Sequence, residues 1–113
     1  MITQFLERAG YDVMAVADGI AAIEAAREDP PIDVLVTDVV MPKMSGIALA
    51  EKMMEQYPQI GAVLLSGYAA ENIDLARVTA QGARFVPKPV NLNKLLQAIL
   101  EAVDLRRAVA DAT

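Results

Sequence analysis

Residues Val34 to Gly46 read VLVTDVVMPKMSG, and this stretch decides how the rest of the chain can fold. Its first four residues, VLVT, are apolar or β-branched with no alternation, a pattern typical of a short strand covered on both faces of a parallel sheet. Asp38 follows directly, and open α/β sheets bind their ligands at the carboxyl ends of such strands. Ser45 can cap a following helix. The stretch therefore predicts one carboxylate at the tip of a buried strand, beside a tight loop.

Helix and strand patterns alternate along the chain on both sides of this stretch. Apolar residues at helical spacing predict five helices, at Met1–Ala9, Ile20–Arg27, Gly46–Tyr57, Ala70–Ala80 and Leu92–Val103. Besides the strand before Asp38, runs of strand-forming residues predict strands at Tyr11–Val16, Ala62–Ser66 and Ala83–Pro87. The order α-β-α-β-α-β-α-β-α predicts an α/β fold, a doubly wound parallel sheet of four strands with helices on both faces.

The composition is that of one folded domain with an aliphatic core. At 113 residues the chain can build a single core, which we assign to residues 1–103, with residues 104–113 as a tail that extends the last helix. Hydrophobic residues make up 55% of the chain, which excludes disorder as its default state.

Charge and missing residue types exclude several classes of function. The net charge of −5 argues against nucleic-acid binding. The lack of cysteine excludes disulfides, thiol nucleophiles and the usual structural zinc sites, and the lack of histidine excludes an imidazole base on this chain. No apolar run approaches the roughly 20 residues of a membrane span, and no signal peptide is visible, so we expect no membrane contact and a cytoplasmic location.

Three polar residues, Asp38, Ser66 and Lys88, follow three of the predicted strands. Since parallel strands all end at one edge of the sheet, these side chains can converge there. Asp38 is a candidate nucleophile or metal ligand, Ser66 can donate a hydrogen bond to an anionic oxygen, and Lys88 can pair with a carboxylate or a phosphoryl group. Taken singly, each has a plainer reading as a turn residue, a helix cap or a solvated lysine. Their joint position favours a functional site.

The sequence around these residues resembles the receiver domains of two-component response regulators. The matching motifs are TDVVMPKMSG around Asp38, LLSGY around Ser66 and ARFVPKPV around Lys88, and the resemblance extends over nearly all of the chain. It implies a flavodoxin-like fold with strand order 2-1-3-4-5. It also implies a phosphorelay switch rather than an enzyme, in which Asp38 accepts a phosphoryl group from a histidine kinase or histidine phosphotransfer protein. The resulting aspartyl phosphate would change partner binding.

The resemblance also implies roles for residues around Asp38. Ser66 and Lys88 would bind oxygens of the phosphoryl group, and the peptide bond before Pro89 is expected to be cis. Phe85 matches the switch aromatic, whose rotation follows the movement of the Ser66 hydroxyl.

Val40 has two implied roles. Its backbone carbonyl would hold Mg²⁺ together with Asp38. Its side chain and that of Tyr68 occupy the two positions that tune the lifetime of the phosphoryl group in the family. Neither side chain can easily orient an attacking water, so we expect slow loss of phosphate.

The chain departs from the family at its N-terminus. Receivers begin with a strand that ends in a pair of acidic residues, which hold Mg²⁺, whereas Met1 here falls within the first helix. By family spacing, on the order of fifteen residues are missing, about one strand plus a turn of helix and its loop. A truncated gene, a misplaced start codon and an excised fragment are all open explanations. We expect weak or absent Mg²⁺ binding, and weak phosphorylation, because only one carboxylate is left.

The missing strand would leave a slot in the sheet between the Tyr11–Val16 strand and the strand before Asp38. The Tyr11–Val16 strand could shift to pair with the strand before Asp38, two chains could form a homodimer by edge pairing or by exchanging elements, or the chain could be marginally folded. We favour a rearranged or dimeric form, because an empty slot is costly for a domain with ~5–15 kcal/mol of stability.

Alternative functions share the same fold. A degenerate receiver could act as a phosphorylation-independent interaction module through the surface formed by the Ala70–Ala80 helix, the Phe85 strand and the Leu92–Val103 helix. A hydrolase of the haloacid dehalogenase type also uses an aspartate at a strand end, but its second aspartate is replaced here by Val40. Both a stand-alone regulator and a receiver of a hybrid kinase fit the sequence, and the SGY and FVPKP segments resemble receivers of hybrid kinases.

Overall fold

A computed structural model describes residues 2–28, 32–40, 44–67 and 73–111 of the chain. These residues form five helices and three strands, in the order α1 Ile2–Arg8, α2 Gly19–Glu28, β1 Val34–Asp38, α3 Gly46–Gln56, β2 Gly61–Ser66, α4 Ile73–Ala80, β3 Arg84–Pro87 and α5 Leu92–Asp111. The strands form one parallel sheet in the order β1-β2-β3. The predicted parallel α/β architecture is therefore confirmed.

The central strand β2 divides the core into two layers. All six of its residues are buried, as expected for a strand with neighbours on both sides and helices on both faces. Ala62 and Leu64 belong to one cluster with α2, α3 and α4, while Val63 and Leu65 belong to a second cluster with α1 and α5. The alternation follows from the two-residue repeat of a strand, and it confirms helices on both faces of the sheet.

Local capping residues fix the ends of several helices. Ser45 Oγ accepts a hydrogen bond from Ala48 N at 3.1 Å, which confirms the predicted N-cap, and Asp18 Oδ1 accepts one from Ala21 N at 2.8 Å at the start of α2. Gly82 follows α4 with a φ of 110°, which a residue with a side chain rarely adopts. At the other end of the chain, α5 runs without a break from Leu92 to Asp111.

The predicted strand at Tyr11–Val16 is not a strand in the structure, and the prediction of four strands was wrong by this one. Within the described residues, β1 pairs with β2 alone, so the expected shift of Tyr11–Val16 onto β1 does not occur either. The segment leaves α1 with Tyr11 N bonded to Leu6 O at 3.0 Å and then runs without regular structure. A run of strand-forming residues becomes a strand only where a second backbone is placed to complete its ladder.

The start of the predicted Ala70–Ala80 helix also differs, because α4 begins at Ile73 and residues 68–72 lie outside the described part. None of the described helices has both the length and the apolar character needed to cross a membrane.

Candidate functional site

Asp38 is the last residue of β1, at the carboxyl edge of the sheet. It is aligned with Leu65 of β2, and the next residue of the chain, Val39, donates its backbone N–H to the Leu65 carbonyl at 3.0 Å. The hydroxyl of the buried Thr37 donates to the Asp38 carbonyl at 3.1 Å. The backbone of Asp38 is thus fixed from two sides, while its side chain remains 43% exposed and open to a ligand.

The start of α3 packs directly against this backbone. Gly46 N donates to the Val39 carbonyl at 2.8 Å, and a Cβ at Gly46 would lie only 1.8 Å from the Asp38 carbonyl oxygen. No side chain fits in that space, so the approach of α3 to the end of β1 requires glycine. We predicted the helix start at Gly46 but missed its contact with Asp38. The Ser-Gly pair at the N-cap was the only local sign of it.

Lys88 reaches Asp38 from the end of β3. Its Nζ lies 2.5 Å from Asp38 Oδ1, an ion pair in which the lysine side chain is 48% exposed. Among the described residues, no hydrogen-bond donor other than Lys88 contacts this oxygen. The Lys88–Pro89 peptide bond is cis, in agreement with the expectation from the sequence. The lysine is therefore the group that neutralises the Asp38 carboxylate in this structure.

Ser66 ends β2 between the other two strand tips. Its carbonyl accepts a hydrogen bond from Lys88 N at 2.8 Å, which connects the ends of β2 and β3, and the residue is buried. The three predicted site residues therefore lie at one edge of the sheet, at the ends of three adjacent strands. The structure joins Asp38 and Lys88 by their side chains and Ser66 and Lys88 by their backbones.

Of the remaining predicted residues, the structure describes Phe85 and Val40. Phe85 of β3 is half-buried and packs against the cluster formed by α2, α3 and α4. Val40 is 80% exposed just beyond Asp38, so its side chain contributes little to the core. Tyr68 lies outside the described residues.

Comparison with known proteins assigns the chain to a family. The profile of the family described as "Response regulator receiver domain" matches residues 1–100. The chain belongs to this family. A receiver of this kind is a signalling module of two-component systems, and the family is known to bind Mg²⁺. Receivers in general are switches rather than enzymes.

Individual relatives show how widely this receiver is shared. The response regulator receiver protein CpdR of Brucella abortus is 34% identical over 98 residues, which cover 87% of this chain and 81% of that protein. Sensor kinase CckA of the same organism is also 34% identical, but the match covers 88% of this chain and only 11% of the kinase. Sequences similar to this chain thus make up most of one relative and a small part of a much larger one.

Solved structures confirm the fold. A CheY-like receiver domain from Methanospirillum hungatei superposes with a TM-score of 0.78 at 29% identity, over 95% of this chain and 85% of that one. A receiver domain from Clostridium thermocellum gives a TM-score of 0.79 at 27% identity. The flavodoxin-like fold predicted from the sequence is therefore confirmed, with three strands in the described part.

Proposed function

We propose that this receiver accepts a phosphoryl group on Asp38 and that the modification changes its affinity for a protein partner. The observation that carries the proposal is the Asp38–Lys88 ion pair, 2.5 Å from Oδ1 to Nζ, at the carboxyl edge of a receiver fold. A half-exposed carboxylate at this place can reach a bound donor, and a cationic partner, Lys88, is already in position.

The transfer is a displacement at phosphorus. An Asp38 carboxylate oxygen forms the new P–O bond, while the P–N bond of a phosphohistidine breaks and its electron pair stays on the imidazole nitrogen. The negative charge then moves from the carboxylate to the phosphoryl oxygens. Lys88 can follow that charge with a small movement of Nζ, and Ser66, at the next strand tip, supplies a hydroxyl donor.

Mg²⁺ binding by these residues alone is expected to be weak. No three metal-ligating side chains come together in residues 2–28, 32–40, 44–67 and 73–111. Asp38 and the Val40 carbonyl would supply two of the about six oxygen ligands that Mg²⁺ prefers, and the ion gives up its water reluctantly. This donor set does not fit a tight magnesium site, so we expect phosphorylation of the 113-residue chain to be slow.

The proposed output uses Phe85. It lies three residues before Lys88 and packs against the α2-α3-α4 cluster, so a movement at the strand tip can change how its ring packs. Because Val40 is exposed and carries no polar group, it cannot direct a water at the phosphoryl group, and we expect dephosphorylation to be slow. A half-life of seconds would contradict this expectation.

The proposed donor is a histidine kinase or a histidine phosphotransfer protein in the cytoplasm. The relatives include a sensor kinase and a protein named "Hybrid signal transduction histidine kinase D", which supports a kinase-type partner. The chain contains no histidine, so the phosphohistidine must belong to another domain. We also propose that two copies can form a homodimer by edge pairing or by exchanging elements.

The experiment is phosphorylation with acetyl phosphate and Mg²⁺, followed by intact-protein and peptide mass spectrometry. We expect slow addition of one phosphoryl group at Asp38, abolished in Asp38→Asn and preserved in Asp33→Asn, a matched change at an exposed aspartate just before β1. Lys88→Gln should slow the reaction further, since the cationic partner is lost.

Two results would contradict the proposal. Equal labelling of Asp38→Asn would place the phosphoryl group elsewhere. No labelling of the folded wild-type chain after prolonged reaction would favour the phosphorylation-independent interaction module. Rapid labelling at Asp38 would leave the phosphoacceptor intact and show that one carboxylate suffices for the metal.

A further inference from the structure

Thr37 brings a hydroxyl group into the core directly before Asp38. The residue is 7% exposed and is the most buried of the five in β1. By the two-residue repeat of a strand, it shares its face with Leu35 and Val39, which both pack against the cluster formed by α2, α3 and α4. A valine would have nearly the same shape here, whereas a buried hydroxyl costs free energy unless it forms a hydrogen bond. The hydroxyl is therefore not explained by packing.

The hydrogen bond of this hydroxyl holds the backbone of Asp38. Thr37 Oγ1 donates to the Asp38 carbonyl at 3.1 Å. The N–H of the same peptide group, which belongs to Val39, donates to the Leu65 carbonyl at 3.0 Å. On a further side stands Gly46, where a Cβ would lie 1.8 Å from the Asp38 carbonyl oxygen. The peptide group that follows Asp38 is thus held at its oxygen, at its N–H and along one flank.

The position of the Asp38 carboxylate depends on this peptide group. The side chain is 43% exposed, and its Oδ1 lies 2.5 Å from Lys88 Nζ. The carboxylate and the carbonyl are both carried by the Asp38 Cα, so a tilt of the peptide group turns the Cα and moves the carboxylate relative to Lys88. Reactions that need aligned atoms are sensitive to such movements, since a displacement of about 1 Å can cost on the order of 100-fold in rate.

We propose that Thr37 is a positioning residue for phosphoryl transfer to Asp38. Its hydroxyl holds the Asp38 carbonyl and thereby keeps the carboxylate aligned with Lys88 and with the incoming phosphorus atom. The inference rests on the proposed phosphotransfer and adds to it a residue that does not touch the phosphoryl group. In the transfer an Asp38 oxygen forms the new P–O bond, and the bond from phosphorus to the donor breaks with its electron pair on the donor. Thr37 exchanges no proton in this step.

Two substitutions separate the hydroxyl of Thr37 from the shape of its side chain. Thr37→Val keeps the shape and loses the hydroxyl, whereas Thr37→Ser keeps the hydroxyl and loses a buried methyl group. With acetyl phosphate and Mg²⁺, where acetate leaves with the electron pair, we expect Thr37→Val to slow labelling of Asp38 by about three- to tenfold. Thr37→Ser, although less stable, should stay within about twofold of wild type. Equal rates in all three proteins, or a Thr37→Ser slower than Thr37→Val, would overturn the proposal.

A second measurement follows the carboxylate without phosphorylation. Acetic anhydride modifies a lysine more slowly when a carboxylate holds its ammonium group. Peptide mass spectrometry gives the rate at Lys88 relative to the exposed Lys52 of α3 in the same chain, and Asp38→Asn gives the rate of an unpaired Lys88. We expect Thr37→Val to raise the Lys88 rate toward that limit and Thr37→Ser to leave it at the wild-type value.

The two measurements distinguish failure of the positioning role from failure of the phosphotransfer. An unchanged Lys88 rate in Thr37→Val would overturn the positioning role, whatever the labelling shows. A wild-type chain that takes up no phosphoryl group would overturn the phosphotransfer. In that case a raised Lys88 rate in Thr37→Val would still support Thr37 as the residue that positions the Asp38 carboxylate.

Discussion

The central strand β2 and its two neighbours, β1 and β3, differ in how many strands they pair with. β2 pairs on both sides and is buried at all six positions, whereas β1 and β3 each pair with β2 alone in the described residues and have one buried residue each. Tyr11–Val16 lies alongside the core layer of β1 without a ladder. The comparison teaches that composition sets how much a strand can bury, whereas its neighbours set how much it does bury.

A polar network around Arg106 joins α5 to α3 and α4. The guanidinium donates to the Gln81 carbonyl at 2.8 Å and to the Met54 carbonyl at 2.9 Å, near the C-terminal ends of α4 and α3. A cation suits two helix C-termini, where carbonyl groups lack helical partners. Burial lowers the pKa of Arg106 from its ordinary value, which is the cost of placing the charge inside the fold.

The largest expected effect is a difference in stability between a variant of β2 and a variant of β1. Leu64→Ala in β2 should lower the free energy of unfolding by about 3 kcal/mol, whereas Leu35→Ala in the half-buried β1 should lower it by about half as much, because less side-chain surface leaves water there on folding. Urea denaturation of both variants measures the difference. Equal losses would show that Leu35 is as deeply buried in solution as Leu64, and would contradict the comparison.

The junction between α3 and β1 gives the next effect. Gly46→Ala should cost about 2 kcal/mol or more, because its methyl group would overlap the Asp38 carbonyl and force the helix or the strand to move. Gly67→Ala is the matched control, since a Cβ there would meet no atom within 4 Å, and we expect a change within about 0.5 kcal/mol. A neutral Gly46→Ala, measured by thermal unfolding, would mean that the β1 side adapts more freely than the structure indicates.

Loss of the Arg106 network should have a smaller effect on the free energy of unfolding. Arg106→Leu should lower stability by about 1–2 kcal/mol, because the Met54 carbonyl, in a buried contact, and the Gln81 carbonyl, in a part-buried one, lose their donor. Arg107→Leu, one residue on and exposed, should change it by less than about 0.5 kcal/mol. Denaturation of the two variants tests whether the position of the arginine, rather than its charge, decides the loss of stability. Similar losses would contradict the role of Arg106 as the link between three helices.

The smallest effect belongs to the ion pair between α3 and α4. Arg77 donates to both carboxylate oxygens of Glu51, at 2.9 Å from Nε and 2.8 Å from NH2, and this hydrogen bonding lowers the pKa of Glu51 despite partial burial. Glu51→Gln should cost about 0.5 kcal/mol at neutral pH. The pKa of Glu51 is lower in the folded chain than in the unfolded chain. The stability lost in Glu51→Gln should therefore be largest above the unfolded pKa and should vanish as pH falls through the folded pKa. Glu55→Gln changes an exposed residue of the same helix, and its difference in stability from wild type should vary less with pH. An equally steep variation with pH would argue against the Glu51–Arg77 pair.

Much of the fold and the site could be predicted from the sequence, because the signals are local. Helix caps such as Asp18 and Ser45 bond to residues three positions away, so their sequence spacing already specifies the contact. Asp38, Ser66 and Lys88 stand at strand ends, and parallel strands bring such ends to one edge. Gly46 and Arg106 were not predicted as contact residues, because their partners are distant in sequence or are backbone groups that any residue type could carry.

The sequence by itself determined the five helices, the strands β1, β2 and β3, and the three residues at the carboxyl edge. Tertiary structure alone decided that Lys88 reaches Asp38, that α3 closes on the Asp38 carbonyl, and that Tyr11–Val16 stays outside the sheet. The physical reason is the range of the interactions. A helix satisfies its backbone within a few residues, so its pattern is sufficient, whereas a strand depends on a partner that its own sequence does not contain.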